Sequence, residues 1–228
     1  LLELLRRVDM KRIRSVSIGL LRSAEAARTA LKTVKSAQIG LVRETFGSYV
    51  VEVGGVDSTV FTNSDARLTI DLGGDDTYLG RVGAGVGYCS VLIDKNGSDR
   101  FDVKDLSVGA AILGVGIALI DGGNDSFRGK SLCFGSGLAG VGVMEKTWGE
   151  DTYVSTALAQ GFGQFGVGIC LDTQGSDRYD TRLYGQGASR TQGIGWMIDR
   201  EGNDVYKAGG LSTNEPLFTG VSYSFAQG

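Results

Sequence analysis

Aspartate residues recur along most of this chain at nearly constant spacing, and carboxylates arranged in this way can bind metal ions or cap backbone turns. The first of two rows follows a G-x-D-x-aromatic pattern, and its members are Asp76, Asp99, Asp125, Asp151, Asp177 and Asp204. The second row lies five residues earlier in each repeat, and its members are Asp71, Asp94, Asp172 and Asp199. Asp121 is displaced from the second row by one position, and Lys146 occupies another of its positions.

The spacing of the first row predicts the architecture. The intervals between successive aspartates are 23, 26, 26, 26 and 27 residues, and a period of this length indicates a repeat fold. Each repeat contains short apolar runs rich in strand-forming residues, such as residues 117–120 and 169–171, and none is long enough for a helix. We therefore predict an all-β parallel β-solenoid (β-helix) of about six to seven coils, stacked about 4.8 Å apart.

Equivalent residues of successive coils lie directly above one another in such a stack. The aromatic residues of the repeat should therefore form a ladder inside the solenoid, and they are Tyr78, Phe101, Phe127, Tyr153, Tyr179 and Tyr206. Stacked carboxylates repel one another, so the aspartate rows need compensation.

Two kinds of compensation are open for the aspartates. Their side chains can accept hydrogen bonds from the backbone N–H groups of tight turns. Alternatively they can bind a cation, for which Ca²⁺ is the best candidate because it takes carboxylate, carbonyl and water oxygens. All ten aspartates of the two rows are thus candidate calcium ligands. Lys146 favours the structural interpretation locally, since its ammonium group can neutralise its own coil without a metal.

Part of the repeat resembles the glycine- and aspartate-rich motif of hemolysin-type (RTX) β-rolls, which bind Ca²⁺ between turns. The resemblance covers residues 123–127 and their equivalents, while the earlier glycines of the motif are missing and the period is longer. Residues 70–78, Ile-Asp-Leu-Gly-Gly-Asp-Asp-Thr-Tyr, are more similar to bacterial solenoid repeats of the form IDLGGNDTY…QGxGxxGVG. That second resemblance spans about residues 44–210 and implies no particular activity.

The N-terminal residues 1–45 differ in pattern and are predicted to be an amphipathic helical segment preceding the solenoid at 46–228. Apolar residues spaced by three or four form one stripe, which comprises Met10, Ile13, Val16, Leu20, Ala24, Ala27, Leu31 and Val34. We expect the helix over residues 10–38 to cap the open end of the solenoid, or to pack on a preceding domain or a partner protein. A basic amphipathic helix could also lie on a membrane surface.

Composition excludes several classes of function. The chain has no histidine, so Ser-His-Asp catalysis and His-ligated zinc sites are excluded. The three cysteines form no CxxC motif and are expected to be buried thiols. Residues 1–45 carry ten Lys/Arg against four Asp/Glu, and the remainder carries thirteen against twenty-two. An acidic body argues against nucleic-acid binding, and no apolar run reaches the length of a membrane-spanning helix.

Residues 161–166 spell G-x-G-x-x-G, the pattern of a dinucleotide-binding loop. The same spelling occurs one repeat earlier at residues 135–140, and no helical pattern follows either copy. These glycines are therefore predicted to allow sharp turns or close backbone packing rather than to bind a nucleotide.

The regular pattern favours a non-catalytic structural or interaction module of a larger secreted or surface protein, with Ca²⁺ as its candidate cofactor and self-assembly as a further option. The abrupt ends of the sequence suggest a piece of a longer chain. The alternative is a polysaccharide-acting β-helix enzyme that uses exposed aspartate and arginine residues, for which Arg100 and Arg178 directly follow first-row aspartates. Coils of nearly constant length offer no insertion to form a cleft, which weakens that alternative.

Overall fold

A computed structural model describes residues 3, 7–34, 38–62, 65–209, 213–214 and 218–222 of the chain. It confirms the predicted β-solenoid with a spacing of 26 residues and an N-terminal helix, α1 (Met10–Leu31). The side chain of Asp9 caps α1 by accepting a hydrogen bond from the backbone N–H of Arg12 at 2.9 Å.

Three sheets run along the solenoid. Sheet A contains β1 (Val42–Phe46), β2 (Tyr49–Gly54), β4 (Leu68–Asp71), β7 (Cys89–Asp94), β10 (Val115–Ile120), β13 (Val141–Lys146), β16 (Val167–Asp172) and β19 (Ile194–Asp199). Sheet B contains β3 (Val60–Phe61), β5 (Thr77–Tyr78), β8 (Arg100–Asp102), β11 (Ser126–Arg128), β14 (Thr152–Ala157), β17 (Arg178–Leu183) and β20 (Val205–Ala208). Sheet C contains β6 (Gly85–Val86), β9 (Ala111–Ile112), β12 (Gly137–Leu138), β15 (Gly163–Gln164) and β18 (Ser189–Arg190).

Neighbouring strands of each sheet are parallel, except that β1 pairs antiparallel with β2. Five successive coils contribute a strand to all three sheets, beginning with β4, β5 and β6. The solenoid therefore has about five complete turns, slightly fewer than the six to seven predicted. The prediction counted G-x-D corners, which mark only the passage from sheet A to sheet B. In the described residues, the coils that begin with β2 and β19 have no sheet C strand.

The aromatic ladder lies inside the solenoid as predicted. Phe61 adds one ring to its N-terminal end, and neighbouring rings stack with centroids 4.3–5.0 Å apart. The rings from Phe61 to Tyr179 are fully buried, whereas Tyr206 in the last described coil is 43% exposed. The ladder thus forms the centre of the core between the sheets.

Helix α1 packs against the outer face of sheet A, where it contacts β7, β10 and β13. It therefore covers the side of the solenoid and not the open end that the sequence analysis suggested. The outward side chains of these strands are apolar, as Ile117 and Leu119 illustrate, and they bury the stripe of the helix. The stripe is rotated slightly from its predicted position, since Ser17 is buried while Val16 is 45% exposed.

The remaining sequence predictions for the two ends lie partly beyond the described residues. The predicted helix extends to residue 38, whereas α1 ends at Leu31 and residues 35–37 lie outside the described part. Towards the C-terminus, residues 210–212 and 215–217 likewise lie outside the described part. The short strands β21 (Thr213–Asn214) and β22 (Phe218–Ser222) pair antiparallel there. Among the described helices, none is long and apolar enough to span a membrane.

The glycines of the G-x-G-x-x-G stretch allow close packing between coils, which confirms their predicted role. A Cβ atom on Gly163 would lie 2.0 Å from the carbonyl oxygen of Ile194 in the next coil. Gly161 has a φ of +80°, a conformation that side-chain-bearing residues rarely adopt. The stretch leads into the strands β15 and β16 instead of a helix, so it lacks the setting of a dinucleotide loop.

Candidate metal site in the carboxylate ladder

The first-row aspartates cap the backbone of the neighbouring coil. From Asp99 onward, the Oδ1 atom of each accepts a hydrogen bond from the backbone N–H of the first-row aspartate one coil earlier, as between Asp125 N and Asp151 Oδ1 at 2.6 Å, whereas Asp76 Oδ1 accepts from Thr59 N. The same bond recurs at 2.7–3.0 Å along the row, at Asp99, Asp125, Asp177 and Asp204. One oxygen of each carboxylate therefore has the structural role that the sequence analysis considered.

The second-row aspartates are bound by the tyrosine hydroxyls of the aromatic ladder. Tyr78 donates to the Oδ2 atoms of Asp71 and Asp94 at 2.8 and 2.9 Å. Tyr153 donates to the Oδ2 atom of Asp172 at 2.6 Å. The two later tyrosines, Tyr179 and Tyr206, donate to the second row in the same way.

Each carboxylate of the two rows then has one oxygen left, and most of these oxygens accept no hydrogen bond from an N–H or O–H donor of the described residues. In the first row they are the Oδ2 atoms of Asp76, Asp99, Asp125, Asp151 and Asp177. In the second row they are the Oδ1 atoms of Asp94, Asp172 and Asp199. For Asp125 and Asp151, the ammonium group of Lys146 lies close to this remaining oxygen and balances its charge. A buried carboxylate oxygen without a donor is costly unless a proton or a cation reaches it.

In the N-terminal coils the carboxylates of the two rows lie in pairs that are placed to share a proton. Asp71 and Asp76 lie within hydrogen-bonding distance, and so do Asp94 and Asp99. Burial raises the pKa of Asp71 to about 8, and Asp76 adds to that rise; burial raises the pKa of Asp99 to about 6, although its hydrogen bond with Asp94 lowers it. One carboxyl group of each pair can therefore stay protonated near neutral pH and donate to the other.

In the middle coils Lys146 provides the compensating charge. Its side chain is completely buried, and its Nζ atom lies 3.3 Å from Asp125 Oδ2 and 3.5 Å from Asp151 Oδ2. The same Nζ donates to three backbone carbonyls at 2.7–3.0 Å, those of Gly122, Gly123 and Trp148. Five oxygens thus surround one cationic nitrogen inside the ladder.

One coil earlier, the second-row position is apolar. Ile120 pairs in register with Asp94 on one side and with Lys146 on the other. The displaced Asp121 points outward instead and accepts a hydrogen bond from Arg28 of helix α1 at 3.3 Å. Arg28 also contacts Glu145 at 3.2 Å, so the shift of one residue moves this carboxylate from the ladder to the helix interface.

The C-terminal coils bring aspartates together with no lysine at their own second-row positions, although Asp151 also lies 3.5 Å from Lys146 Nζ. Asp151, Asp172 and Asp177 each place one carboxylate oxygen within 4.8 Å of the other two, and Asp177, Asp199 and Asp204 form a second such group. We call these groups site 1 and site 2. Burial is the main cause that raises the pKa of Asp172 and of Asp177 to about 7. Three clustered carboxylate oxygens are a donor set suited to Ca²⁺.

The structure thus divides the ten candidate ligands that the sequence treats alike. Five of them meet in sites 1 and 2, namely Asp151, Asp172, Asp177, Asp199 and Asp204. The other five lie in proton-sharing pairs or beside Lys146, namely Asp71, Asp76, Asp94, Asp99 and Asp125.

Sequence analysis missed the hydrogen-bonding role of the tyrosines, although a signal for it exists. The ladder residue is tyrosine where the second-row residue of the next coil is aspartate. The three pairs are Tyr78 with Asp94, Tyr153 with Asp172, and Tyr179 with Asp199. Phenylalanine stands at 101 and 127, where that residue is Ile120 or Lys146. Phe61, in the incomplete first coil, departs from this rule, because Asp71 follows it.

Comparisons with protein-family models, with curated proteins and with solved structures gave no match to this chain.

Proposed function

We propose that this chain is a non-catalytic structural or interaction module of a larger secreted or surface protein, and that Ca²⁺ stabilises its C-terminal coils. The proposal is supported chiefly by the coil-by-coil equivalence between Lys146 and site 1. A shift of 26 residues converts Asp125, Lys146 and Asp151 into Asp151, Asp172 and Asp177. Site 1 therefore has carboxylates around the place that an ammonium cation occupies one coil earlier.

The same equivalence names the other ligands that a calcium ion would use. The carbonyls that bind Lys146 belong to residues 122, 123 and 148, and the corresponding residues one coil later are Trp148, Gly149 and Gln174. Trp148 O already accepts from Lys146 at 2.7 Å, so the carbonyls of Gly149 and Gln174 and the three aspartates would supply five oxygens, and water would complete the six to eight that Ca²⁺ takes. Extracellular calcium is plentiful, so a site of this kind suits a secreted or surface-exposed protein.

The enzyme alternative gains no support from the ladder. Asp125, Asp151 and Asp177 are 1–3% exposed, so their carboxylates lie inside the solenoid where a polysaccharide cannot reach them. A group that acts as general acid or base must come within hydrogen-bonding reach of its substrate. The described part of the ladder therefore fits a structural role better than a catalytic one.

Thermal unfolding with excess Ca²⁺ and with EGTA tests the proposal. A ligand that binds only the folded state raises the melting temperature, so we expect a clear rise with Ca²⁺. Asp177→Asn should abolish this rise, because Asp177 belongs to both sites. The amide oxygen of the new side chain can still accept the hydrogen bond from Asp151 N, so the cap is kept.

The matched control is Asp99→Asn, which makes the same change in a coil without a three-aspartate group. This variant should keep the full response to Ca²⁺. Equal melting temperatures of the parent protein in Ca²⁺ and EGTA would leave only the capping and proton-sharing roles. A calcium response that survives in Asp177→Asn would place the ion elsewhere.

A further inference from the structure

A row of exposed cations runs along the outer side of sheet B and the corner that follows it. We call it the basic strip, and its members are Arg81, Lys104, Arg128, Lys130 and Arg182. Lys104 and Lys130 occupy adjacent coils, since the backbone N–H of Lys130 donates to the carbonyl of Lys104 at 2.8 Å. Thr156 and Arg182 continue the row in the next two coils. Four coil-to-coil steps give the strip a length of about 20 Å.

The charges of the strip are mostly not neutralised within the chain. In the described part of the protein, Lys104, Arg128, Lys130 and Arg182 make no ion pair. The neighbouring Arg100 does, with Asp102 at 2.7 Å. Like charges at the spacing of adjacent strands repel one another. Four such cations on one side are therefore notable on a solenoid body whose acidic residues outnumber its basic ones.

A cavity of about 370 Å³ lies at the N-terminal end of the strip, and Arg81, Lys104 and Asp105 provide its charged lining. It arises where one coil is shorter than the next. Gly85 follows Tyr78 by seven residues in one coil. In the next coil the residues that pair with them, Phe101 and Ala111, are ten residues apart. The missing residues leave a notch under the longer corner, and its volume is in the range of small-ligand sites.

We propose that the basic strip binds a linear acidic polysaccharide that runs along the solenoid axis, with one sugar unit in the notch. An extended sugar chain repeats its anionic groups at distances comparable to the coil spacing of about 4.8 Å, so its carboxylates or sulfates can meet the cations of every coil of the strip except the one that carries Thr156. The outward positions of the sheet B strands carry no aromatic side chain in the described residues. Single-stranded nucleic acids depend on such side chains for base stacking, so a chain of acidic sugars fits better.

This proposal is independent of calcium in sites 1 and 2, because those carboxylates point into the solenoid while the strip faces outward. The test is the affinity for heparin, a linear sulfated and carboxylated glycan, measured by calorimetry at two salt concentrations. Neutral dextran serves as the uncharged glycan and oligo(dT) as the nucleic-acid probe. We expect heparin binding that weakens with salt, no dextran binding, and weaker binding of oligo(dT).

Reversing the charge of two lysines tests whether heparin binds at the basic strip. The double variant Lys104→Glu/Lys130→Glu should lower heparin affinity on the order of tenfold or more. The control Lys11→Glu/Arg22→Glu makes the same change of net charge on the exposed face of α1 and should stay within about twofold. The milder pair Lys104→Gln/Lys130→Gln should show an intermediate loss, and its melting temperature checks that the fold is intact. Equal losses in strip and helix variants, no heparin binding, or preferred binding of oligo(dT) would each overturn the proposal.

Discussion

At the scale of single residues, each described position of the aromatic ladder from Tyr78 to Tyr179 is matched to the second-row residue of the next coil. Tyr153 has a hydroxyl because Asp172 follows, while Phe127 has none because Lys146 follows. The aspartates of the earlier coils lie beside a second carboxylate or beside the ammonium group of Lys146, and we propose that a divalent cation compensates those of the C-terminal coils. The second-row residue sets only the ammonium case apart, because it is Lys146 there and aspartate in both of the other cases.

Replacement of the buried ammonium group tests this matching. Lys146→Met should lower the free energy of unfolding by about 3–5 kcal/mol, because Asp125 and Asp151 lose their counter-charge inside the core. Lys11→Met, on the exposed face of α1, is the matched control and should change it by less than about 0.5 kcal/mol. Urea unfolding of both variants in EGTA measures the difference, and equal stabilities would mean that Lys146 is not needed to balance the ladder.

At the scale of elements, the sequence predicted the strands and turns well but the helix position poorly. A corner motif repeated at a fixed interval determines which strands pair and in what register. The position of α1 depends instead on the outer face of sheet A. Its short apolar runs, including Ile117 and Leu119, do not reveal from the sequence alone that both faces of β10 are covered.

The positive φ angles of non-glycine residues at the corners could not be predicted from the sequence either. Several residues with side chains adopt positive φ, and they recur in register, as Leu106, Leu132 and Leu158 show with φ values of 52–58°. Sequence rules assign such positions to glycine or asparagine. The hydrogen bonds between stacked coils hold these residues in place, for example from Leu132 N to Ala157 O.

The tight spacing between coils predicts opposite effects for two glycine substitutions. Gly163→Ala should destabilise the solenoid by about 2 kcal/mol or more, because the new methyl group would collide with the Ile194 carbonyl in the next coil. Gly19→Ala has open space around its Cβ inside α1 and should stabilise the helix by up to about 1 kcal/mol. Amide hydrogen exchange measures both effects. Protection should fall in β15 and β19 of Gly163→Ala and should rise in α1 of Gly19→Ala. Unchanged protection around β15 in Gly163→Ala would contradict the close packing.

At the scale of the whole molecule, the architecture followed from the sequence, whereas the division of the ladder into different sites did not. The row of aspartates is visible as a pattern, but which oxygens are already satisfied depends on atomic distances. Asp99 and Asp177 look equivalent in the sequence, yet only Asp177 belongs to a group of three. The count of coils was slightly too high for a similar reason, because a corner motif marks one side of a coil and not all three.

Buried carboxylates also predict how stability depends on pH. Because burial raises the pKa of Asp71 to about 8 and that of Asp99 to about 6, the folded state holds protons that the unfolded chain releases. The resulting stabilisation is complete below pH of about 4 and is lost as the pH rises through about 6 to 8.

In EGTA, the free energy of unfolding should therefore fall between pH 5 and pH 9, by more than about 1 kcal/mol. Asp71→Asn removes one of these protonated groups and should flatten the decline, whereas Asn in place of the exposed Asp57 should not. Urea unfolding at several pH values measures both slopes. A stability that rises over this range would show that the N-terminal carboxylates are not proton-sharing pairs.

The central claim is that the solenoid contains a carboxylate ladder whose C-terminal coils use calcium where an earlier coil uses a lysine. Equilibrium dialysis that counts bound Ca²⁺ per chain tests it most directly, with the parent protein beside Asp177→Asn and Asp99→Asn. The account predicts one or two ions per chain in the parent and in Asp99→Asn, since there are two sites that share Asp177. It predicts none in Asp177→Asn. A parent protein that binds no calcium, or an Asp177→Asn variant that binds as much as the parent, would contradict it.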